Sequence, residues 1–517
     1  MDIHTHYDGQ ATWDSRLQPS AWHGVTTVVA GNCGVGFAPV VPLHRQRLIE
    51  LMEGIEDIPG TALHAGLPWT WESFDEYLAV LDGRSYDLDI ATQVPHAALR
   101  VHVMGERAVA GAAATAEDTA AMGRLAADAV RAGALGFSTS RTLNHRSVDG
   151  ELTPSHGAGV EELVGIARAV GATGGGVLQM VTDFLDVEED MALMREMVQA
   201  SGRPLSVSLL QSHFDPSGYR AVLAGIASAN EAGLPIRAQV AARGVGLVMG
   251  LDLTLHPFMT NAVWQGLAGL RPQERSAALA QAETKAAVLA AQTREKRTAL
   301  IGGRLIDKYH LMYEMSDPPD YEPDPAQSLA ARAEREGRDP ADLAYDVLTA
   351  HGGQGLVYVM TANWEDRSLE PVREMLAHPW SLPGLSDGGA HVGSICDGSF
   401  PTTLLQHWGR ERSSGRLPLE FLVQRQSRDT AAAVGLADRG VLAPGYRADL
   451  NVIDLEGLRL RRPEVRSDLP GGGRRLLQRA DGYRHTLVRG VETYADGEET
   501  GALPGRLVRG GRPAVAR

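Results

Sequence analysis

His4 and His6 stand two residues apart near the start of the chain, in the string Asp2-Ile3-His4-Thr5-His6. In an extended segment that spacing points both imidazoles to the same side. Two neutral imidazoles so placed can hold one Zn2+ or a similar ion. An isolated pair of this kind is weak evidence, but Asp2 precedes it and a set of partners lies downstream. Cys33, in VVAGNCGVG, follows an apolar run and is flanked by glycines that let backbone approach a ligand. Its thiolate is a candidate soft ligand; a buried cysteine acting only as a small hydrophobe is the other reading. Asp387, in LPGLSDGGAHVG, ends the last apolar run. A carboxylate there can ligate a metal, or take a proton from water and pass it to a leaving group. A turn or helix-cap aspartate is the alternative. The glycines around Cys33 do not have dinucleotide-binding spacing.

Such side chains converge only if regular elements carry them. Short apolar runs at 24–34, 86–95, 133–140, 174–181, 203–212, 234–243, 354–362 and 380–389 read as strands, each running into a loop. Helical patterns such as 116–133 and 159–172 lie between them, with apolar residues at three- and four-residue spacing. About eight strand–helix repeats predict a parallel α/β architecture of the (β/α)8, TIM-like type, whose active sites lie at the C-terminal strand ends. The rhythm breaks near 270–345, where a helix-forming stretch at 272–300 precedes SDPPDYEPDP, which is too rich in proline for regular structure. This reads as a helical and Pro-rich insertion, either lid-like or a solvated connection. The expected division is a barrel over 1–435 and a small β module over 436–517, where short strands are punctuated by Gly, Pro and Asp.

Bulk properties narrow the function. A net charge of −15 argues against nucleic acid as a partner, and no apolar run is long enough to span a bilayer. Two cysteines are too few for a disulfide framework, which makes a reducing cytoplasm the default location. Lysine occurs only three times, at Lys285, Lys296 and Lys308.

The strings DIHTHYD, GNCG, GALGFSTSRT, LSDGGAHVG and DRGVLAPGYRADLNVIDL together resemble the amidohydrolase superfamily, and within it the N-acyl-D-amino-acid deacylase branch, along essentially the whole chain. GNCG is the more branch-specific mark. The resemblance implies a metal-dependent (β/α)8 hydrolase with a small β-sandwich, using zinc to hydrolyse an amide. It assigns His4 and His6 to the strand-one metal pair, Cys33 to the cysteine ligand and Asp387 to the catalytic aspartate after strand eight.

The sequence also departs from the family. Histidines expected on strands five and six are replaced by Gln179 and Leu209, with Gln211 where a lysine would be; leucine has no donor atom and an amide is a poor zinc ligand. His145 and His213 are read as surface or supporting histidines. None of the three lysines follows a strand pattern suited to a carboxylated, metal-bridging lysine. The expectation is therefore one zinc ion, held by His4, His6, Asp387 and Cys33. Arg141, Arg237 and Gln179 are the candidates for contacting a small-molecule amide substrate, with Arg146 and Arg243 as further arginines near strand ends. A linear N-acyl-D-amino acid is the leading substrate class. A hydantoinase- or dihydropyrimidinase-like cyclic-amide hydrolase and a catalytically silent relative with a binding role are the alternatives. Family members run several dozen residues before the His-x-His motif, adding strands to the sandwich. His4 and His6 are thus expected on a frayed end with weak metal binding that an upstream extension restores.

Overall fold

The computed structural model describes residues 1–293 and 302–515. Residues 294–300 of the helix-forming stretch, including Lys296, lie outside the described residues.

The parallel strands are short, and their framework is all but buried. They are β1 (Thr27–Ala30), β2 (Asp89–Thr92), β3 (Val94–Pro95), β4 (Gly136–Ser140), β5 (Val177–Val181), β6 (Leu205–Leu209) and β7 (Ile236–Val240). Three antiparallel strands follow, β8 (Val245–Gly250), β9 (Met312–Glu314) and β10 (Leu356–Ala362), and then β11 (Ser381–Pro383). β1 pairs with β2 in parallel, and β3, β4, β5, β6, β7 and β11 form a continuous parallel series. The segment 2–6 lies between the two ends of this arrangement. Asp2 bridges Val28 of β1, and Thr5 bridges Gly388 just beyond β11. The amides of Asp2 and Thr5 donate to Thr27 O and Val29 O at 2.9 and 3.0 Å, while His6 N donates to Gly388 O at 2.8 Å.

His4 and His6 are therefore not on a frayed end, because their backbone is hydrogen-bonded to a neighbour on each side. The N-terminal amine also donates to Gln426 O at 3.1 Å. A second expectation changes with this one. The run at 354–362 is a strand, β10, but it pairs antiparallel with β8 and β9 rather than joining the parallel series. β7 pairs with β11 directly, and the segment 2–6 lies instead between β1 and the chain just after β11.

All-parallel sheets have both faces covered, with helices packed on the outer one here. The outer helices include Arg45–Glu56, Ala116–Ala132, Val160–Gly171, Val187–Ser201 and Gly218–Glu231. The helix Ala116–Ala132 starts on a capping box in which Thr115 and Asp118 satisfy each other's amides. It buries Met122, Ala126, Ala129 and Val130. The inner side of the strands is polar at several positions, with Ser138, Gln179, Ser206 and Gln239 all on it. Gln239 Nε2 donates to Ser206 Oγ at 2.8 Å.

The excursion between β7 and β11 carries its own apolar cluster, with Leu247, Met249, Phe258, Leu343, Val357 and Val359 at its heart. Its Pro-rich segment has no regular structure but is anchored: Tyr321 is buried, and Glu322 pairs with His407 and Arg412 at 2.9 and 3.0 Å. From Leu450 on, antiparallel pairs dominate. The remaining strands are β12 (Leu450–Ile453), β13 (Arg459–Leu460), β14 (Glu464–Leu469), β15 (Gly473–Leu477), β16 (Ala480–Asp481), β17 (Tyr483–Val488), β18 (Val491–Ala495) and β19 (Glu498–Glu499). They form sheets ordered β12-β17-β18-β19, β13-β16 and β14-β15. The chain then returns to the parallel strands, where Gly505 bridges Tyr86 and Leu507 bridges Ile90. Among the described residues no helix is long and apolar enough to cross a membrane.

Candidate metal centre

GNCG is where β1 stops and the chain turns across the strand ends. Gly31, Cys33 and Gly34 all have positive φ, at 75°, 56° and 68°. A Cβ on Gly34 would lie 2.9 Å from Thr139 Cα, so this position needs glycine for close approach as well as for its φ. Asn32 between them donates to Val29 O and Thr5 O at 2.8 and 3.2 Å, and accepts from Gln93 at 2.9 Å. The motif thus clamps the His-x-His segment to β1 and leaves Cys33 aimed at it.

Three ligand atoms converge. His4, His6 and Cys33 are all buried, and each offers one donor atom within 4.8 Å of the others. His4 Nε2 lies 3.2 Å from Cys33 Sγ. Asp387 Oδ1 lies 3.5 Å from His4 Nε2 and 3.6 Å from His6 Nε2, with 22% of its side chain exposed. Its backbone is tied to the same segment, Asp387 N donating to His4 O at 3.1 Å. Asp2 is not a fifth donor; its carboxylate accepts from Ser386 and so holds the residue next to Asp387.

Each imidazole has a polar group at Nδ1, hydrogen-bonded for His4 and at ion-pair distance without hydrogen-bond geometry for His6. His4 Nδ1 bonds Gln239 Oε1 at 2.8 Å, and His6 Nδ1 lies 3.2 Å from Glu56 Oε1. The second Glu56 oxygen is 3.5 Å from His391 Nε2. Burial pushes His4 down to about 4 despite Asp387, leaving a neutral imidazole ready to ligate. Burial would lower His6 as well, but Glu56 and Asp387 raise it well above its ordinary value. For Asp387, burial is outweighed by the imidazoles of His6, His4 and His391, which hold the carboxylate below its usual range. Burial pushes the Cys33 thiol up to about 12 and Glu56 up to about 7.

The donor set fits a divalent cation. Two imidazole nitrogens, a sulfur and a carboxylate are the ligand types zinc takes. Asp387 Oδ1, Glu56 Oε2 and Asp8 Oδ2 are buried oxygens without a hydrogen-bond partner, a surplus of negative charge that a cation would compensate. A thiol raised by burial ionises readily only beside such a charge.

The remaining expected residues fall in different places. Gln179 is at the site, but its Oε1 accepts from Cys33 N at 3.0 Å, so its Nε2 faces inward without a partner. Leu209 is buried on the helix-facing side of β6, since Ser206, three residues before it and so on the opposite face, is on the inner side with Gln239. The inner position beside it is Ser208, which brings no imidazole either. Arg141 follows β4 at the mouth, half-buried and 3.8 Å from Glu189. Arg237 is a correction: it is the second residue of β7, at the opposite end of the strands, with its guanidinium 5.2 Å over the Trp380 ring. Arg243 is also removed from the substrate set. It is fully buried, 2.9 Å from Asp397 and 3.6 Å over Tyr321. Arg146 turns back on its own loop, donating to Leu143 O and Gly150 O. His145 sits half-buried at the mouth on the Ser140 hydroxyl at 2.8 Å. His213 is exposed and stacked on Phe214, and Gln211 is bonded to Asn363 and Asp366, away from the ligand atoms. Lys285 pairs with Asp342 and Asp346, and Lys308 is exposed; neither is on a parallel strand.

Sequence reasoning passed over Gln239, Glu56, His391 and Asp8. Gln239 had a usable signal, a polar residue at an inner position of an apolar strand. His391 stood inside the quoted LSDGGAHVG string. Glu56 had none, because a glutamate ending an amphipathic helix ordinarily faces water.

Comparison with known proteins gives the chain's family. Residues 1–494 match the model of the amidohydrolase family. The D-aminoacylase of Alcaligenes xylosoxydans xylosoxydans is 27% identical over 512 residues, covering 98% of this chain and 86% of the relative. A crystal structure of D-aminoacylase superposes with a TM-score of 0.60 at 23% identity, over 99% of this chain and 88% of that one. The N-acyl-D-glutamate deacylase of Bordetella bronchiseptica, solved with zinc and a phosphonate mimic of the tetrahedral intermediate, gives 0.59 at 24% identity over 98% of this chain and 87% of that one. These two structures share the fold described above. The chain belongs to the amidohydrolase family, on its D-aminoacylase-like branch, and is a hydrolase of carbon–nitrogen bonds other than peptide bonds.

Proposed function

We propose that this protein removes the acyl group from an N-acyl-D-amino acid, cleaving a linear amide at one zinc ion held by His4, His6, Cys33 and Asp387. The observation that carries this reading is the convergence of His4, His6 and Cys33, with Asp387 Oδ1 3.5 and 3.6 Å from His4 Nε2 and His6 Nε2. A divalent ion bound there supplies Lewis-acid polarisation of the acyl oxygen and acidification of the attacking water. Asp387, kept ionised by its imidazole neighbours, takes the water's proton on a carboxylate oxygen and delivers it to the departing amine. Gln179 Nε2 and the Arg141 guanidinium are the donors proposed for the substrate's oxygen atoms.

One ion rather than two is proposed because Gln179 commits its oxygen to the Cys33 amide and β6 brings no nitrogen donor to the inner side. In architecture, the parallel series and the segment 2–6 are read as a (β/α)8 barrel over 1–435. The strands beyond 436 are read as a small β-sandwich module. A cyclic-amide hydrolase dependent on a bridging lysine is disfavoured, since neither described lysine stands on a parallel strand.

The test is metal analysis of the purified protein together with turnover of N-acetyl-D-amino acids, N-acetyl-L-amino acids and cyclic imides. About one zinc per chain with hydrolysis of the D series is the expected result. Two tightly bound ions, or turnover of cyclic imides alone, would overturn it.

A further inference from the structure

Glu56 is the last residue of the helix Arg45–Glu56 and is 1% exposed. A carboxylate is poorly placed there twice over. Burial penalises its charge, and the helix C-terminus already carries partial negative charge. One of its oxygens has no hydrogen-bond partner.

What surrounds it points to a role. Its carboxylate lies between two imidazoles, 3.2 Å from His6 Nδ1 and 3.5 Å from His391 Nε2. Its carbonyl oxygen accepts from His391 N. The next residue, Asp57, is left-handed at φ 50° and accepts from the hydroxyls of Ser394 at 2.8 Å and Thr254 at 3.0 Å. The helix end is thus pinned both to the loop after Asp387 and to the excursion. His6 Nε2 meanwhile faces Asp387. His4 Nδ1 is instead hydrogen-bonded to the neutral amide of Gln239 at 2.8 Å.

We infer that Glu56, braced by His391, is a positioning residue for His6: it holds the ring through Nδ1 so that Nε2 presents to the metal position. This rests on the metal-centre reading above. A charged acceptor behind a ligating imidazole fixes its tautomer and increases its basicity, and loss of such a partner typically costs about 10–100-fold in metal affinity.

The experiment titrates chelator-stripped protein with Zn2+ against a chromophoric competitor, and follows Tm with and without Zn2+. It compares the unaltered protein, His6→Asn, Glu56→Gln, Glu56→Asp and His391→Asn; asparagine tolerates the left-handed backbone of residue 391. Glu56→Gln is expected to bind Zn2+ about 10–100-fold more weakly, with Glu56→Asp in between and a smaller Zn2+-induced rise in Tm for both. Full affinity in Glu56→Gln, with Tm lowered equally in the presence and absence of Zn2+, would make Glu56 merely structural and overturn the inference. Should Glu56→Gln fail to fold, Glu56→Asp and His391→Asn decide on the same readout, reduced affinity supporting the inference and unaltered affinity overturning it. An unaltered protein that takes up no Zn2+ would overturn the metal reading itself. Loss of binding in His6→Asn alone would overturn only the role of Glu56.

Discussion

Among the described residues, Asp387 is the one acidic side chain that lies against both imidazoles and keeps part of its surface open. Replacing it with asparagine preserves size and removes the proton acceptor. Asp387→Asn is expected to lower kcat by about two to four orders of magnitude, the usual contribution of a positioned acid–base group. The check is turnover on whichever amide the unaltered protein hydrolyses, with circular dichroism confirming the fold. Unchanged turnover would favour a silent, binding role. Gln239 is the matching case on the other histidine. Gln239→Leu leaves His4 Nδ1 without its acceptor, and Zn2+ affinity is expected to fall about 10–100-fold. Competition titration measures this; an unaltered affinity would show that the ring is held by its packing alone.

At the scale of elements, close approach of backbone decides how GNCG works. Gly34 combines a φ of 68° with a strand 2.9 Å from where a Cβ would sit. Gly34→Ala is expected to destabilise the fold by about 1–3 kcal/mol, the cost typical of a strained backbone position. Urea unfolding is the measurement, and a change within error would mean that β4 can yield. Arg243 shows how an arginine that follows a strand can belong to the core. Its guanidinium is enclosed by Asp397, Tyr321, Ser399 and Thr403. Arg243→Gln leaves Asp397 buried without its cation and is expected to cost about 3–5 kcal/mol, again by urea unfolding. An increase in KM with stability intact would return Arg243 to the substrate site.

Across the whole molecule, Glu322 ties the Pro-rich excursion to the helical segment that carries His407 and Arg412. Burial raises its carboxyl, but hydrogen bonds from His407, Arg412 and the Leu369 amide prevail and bring it from 4.5 down to about 2. A depressed carboxylate stabilises the fold above its unfolded value and ceases to do so as pH falls through the folded one. Glu322→Gln is therefore expected to be less stable near neutrality, by up to about 3 kcal/mol. The deficit should shrink as pH falls from 4.5 toward 2. Denaturant unfolding of both proteins across that range is the check, and a deficit independent of pH would contradict it.

The two histidines, the cysteine and the aspartate that the structure brings together were legible in the sequence because each carries chemistry of its own at a strand end. The strand–helix rhythm was legible because period-2 and period-3.6 patterns are local. Three things were not. Whether 354–362 joins the parallel series depends on strand pairing, which a local pattern does not encode; β7 pairs with β11 directly, and residues 2–6 join at the other side through bonds to Val29 and Gly388. Which arginines face the mouth depends on height along the strand and on partners distant in sequence, so Arg141 remains there while Arg237 and Arg243 do not. The support behind the histidines comes from Glu56 and Gln239, 50 and 235 residues away from the rings they hold. The sequence by itself determined the donor types and the family chemistry they imply. Only the tertiary structure decided which groups brace them, because long-range packing and not local spacing brings a buried carboxylate to an imidazole.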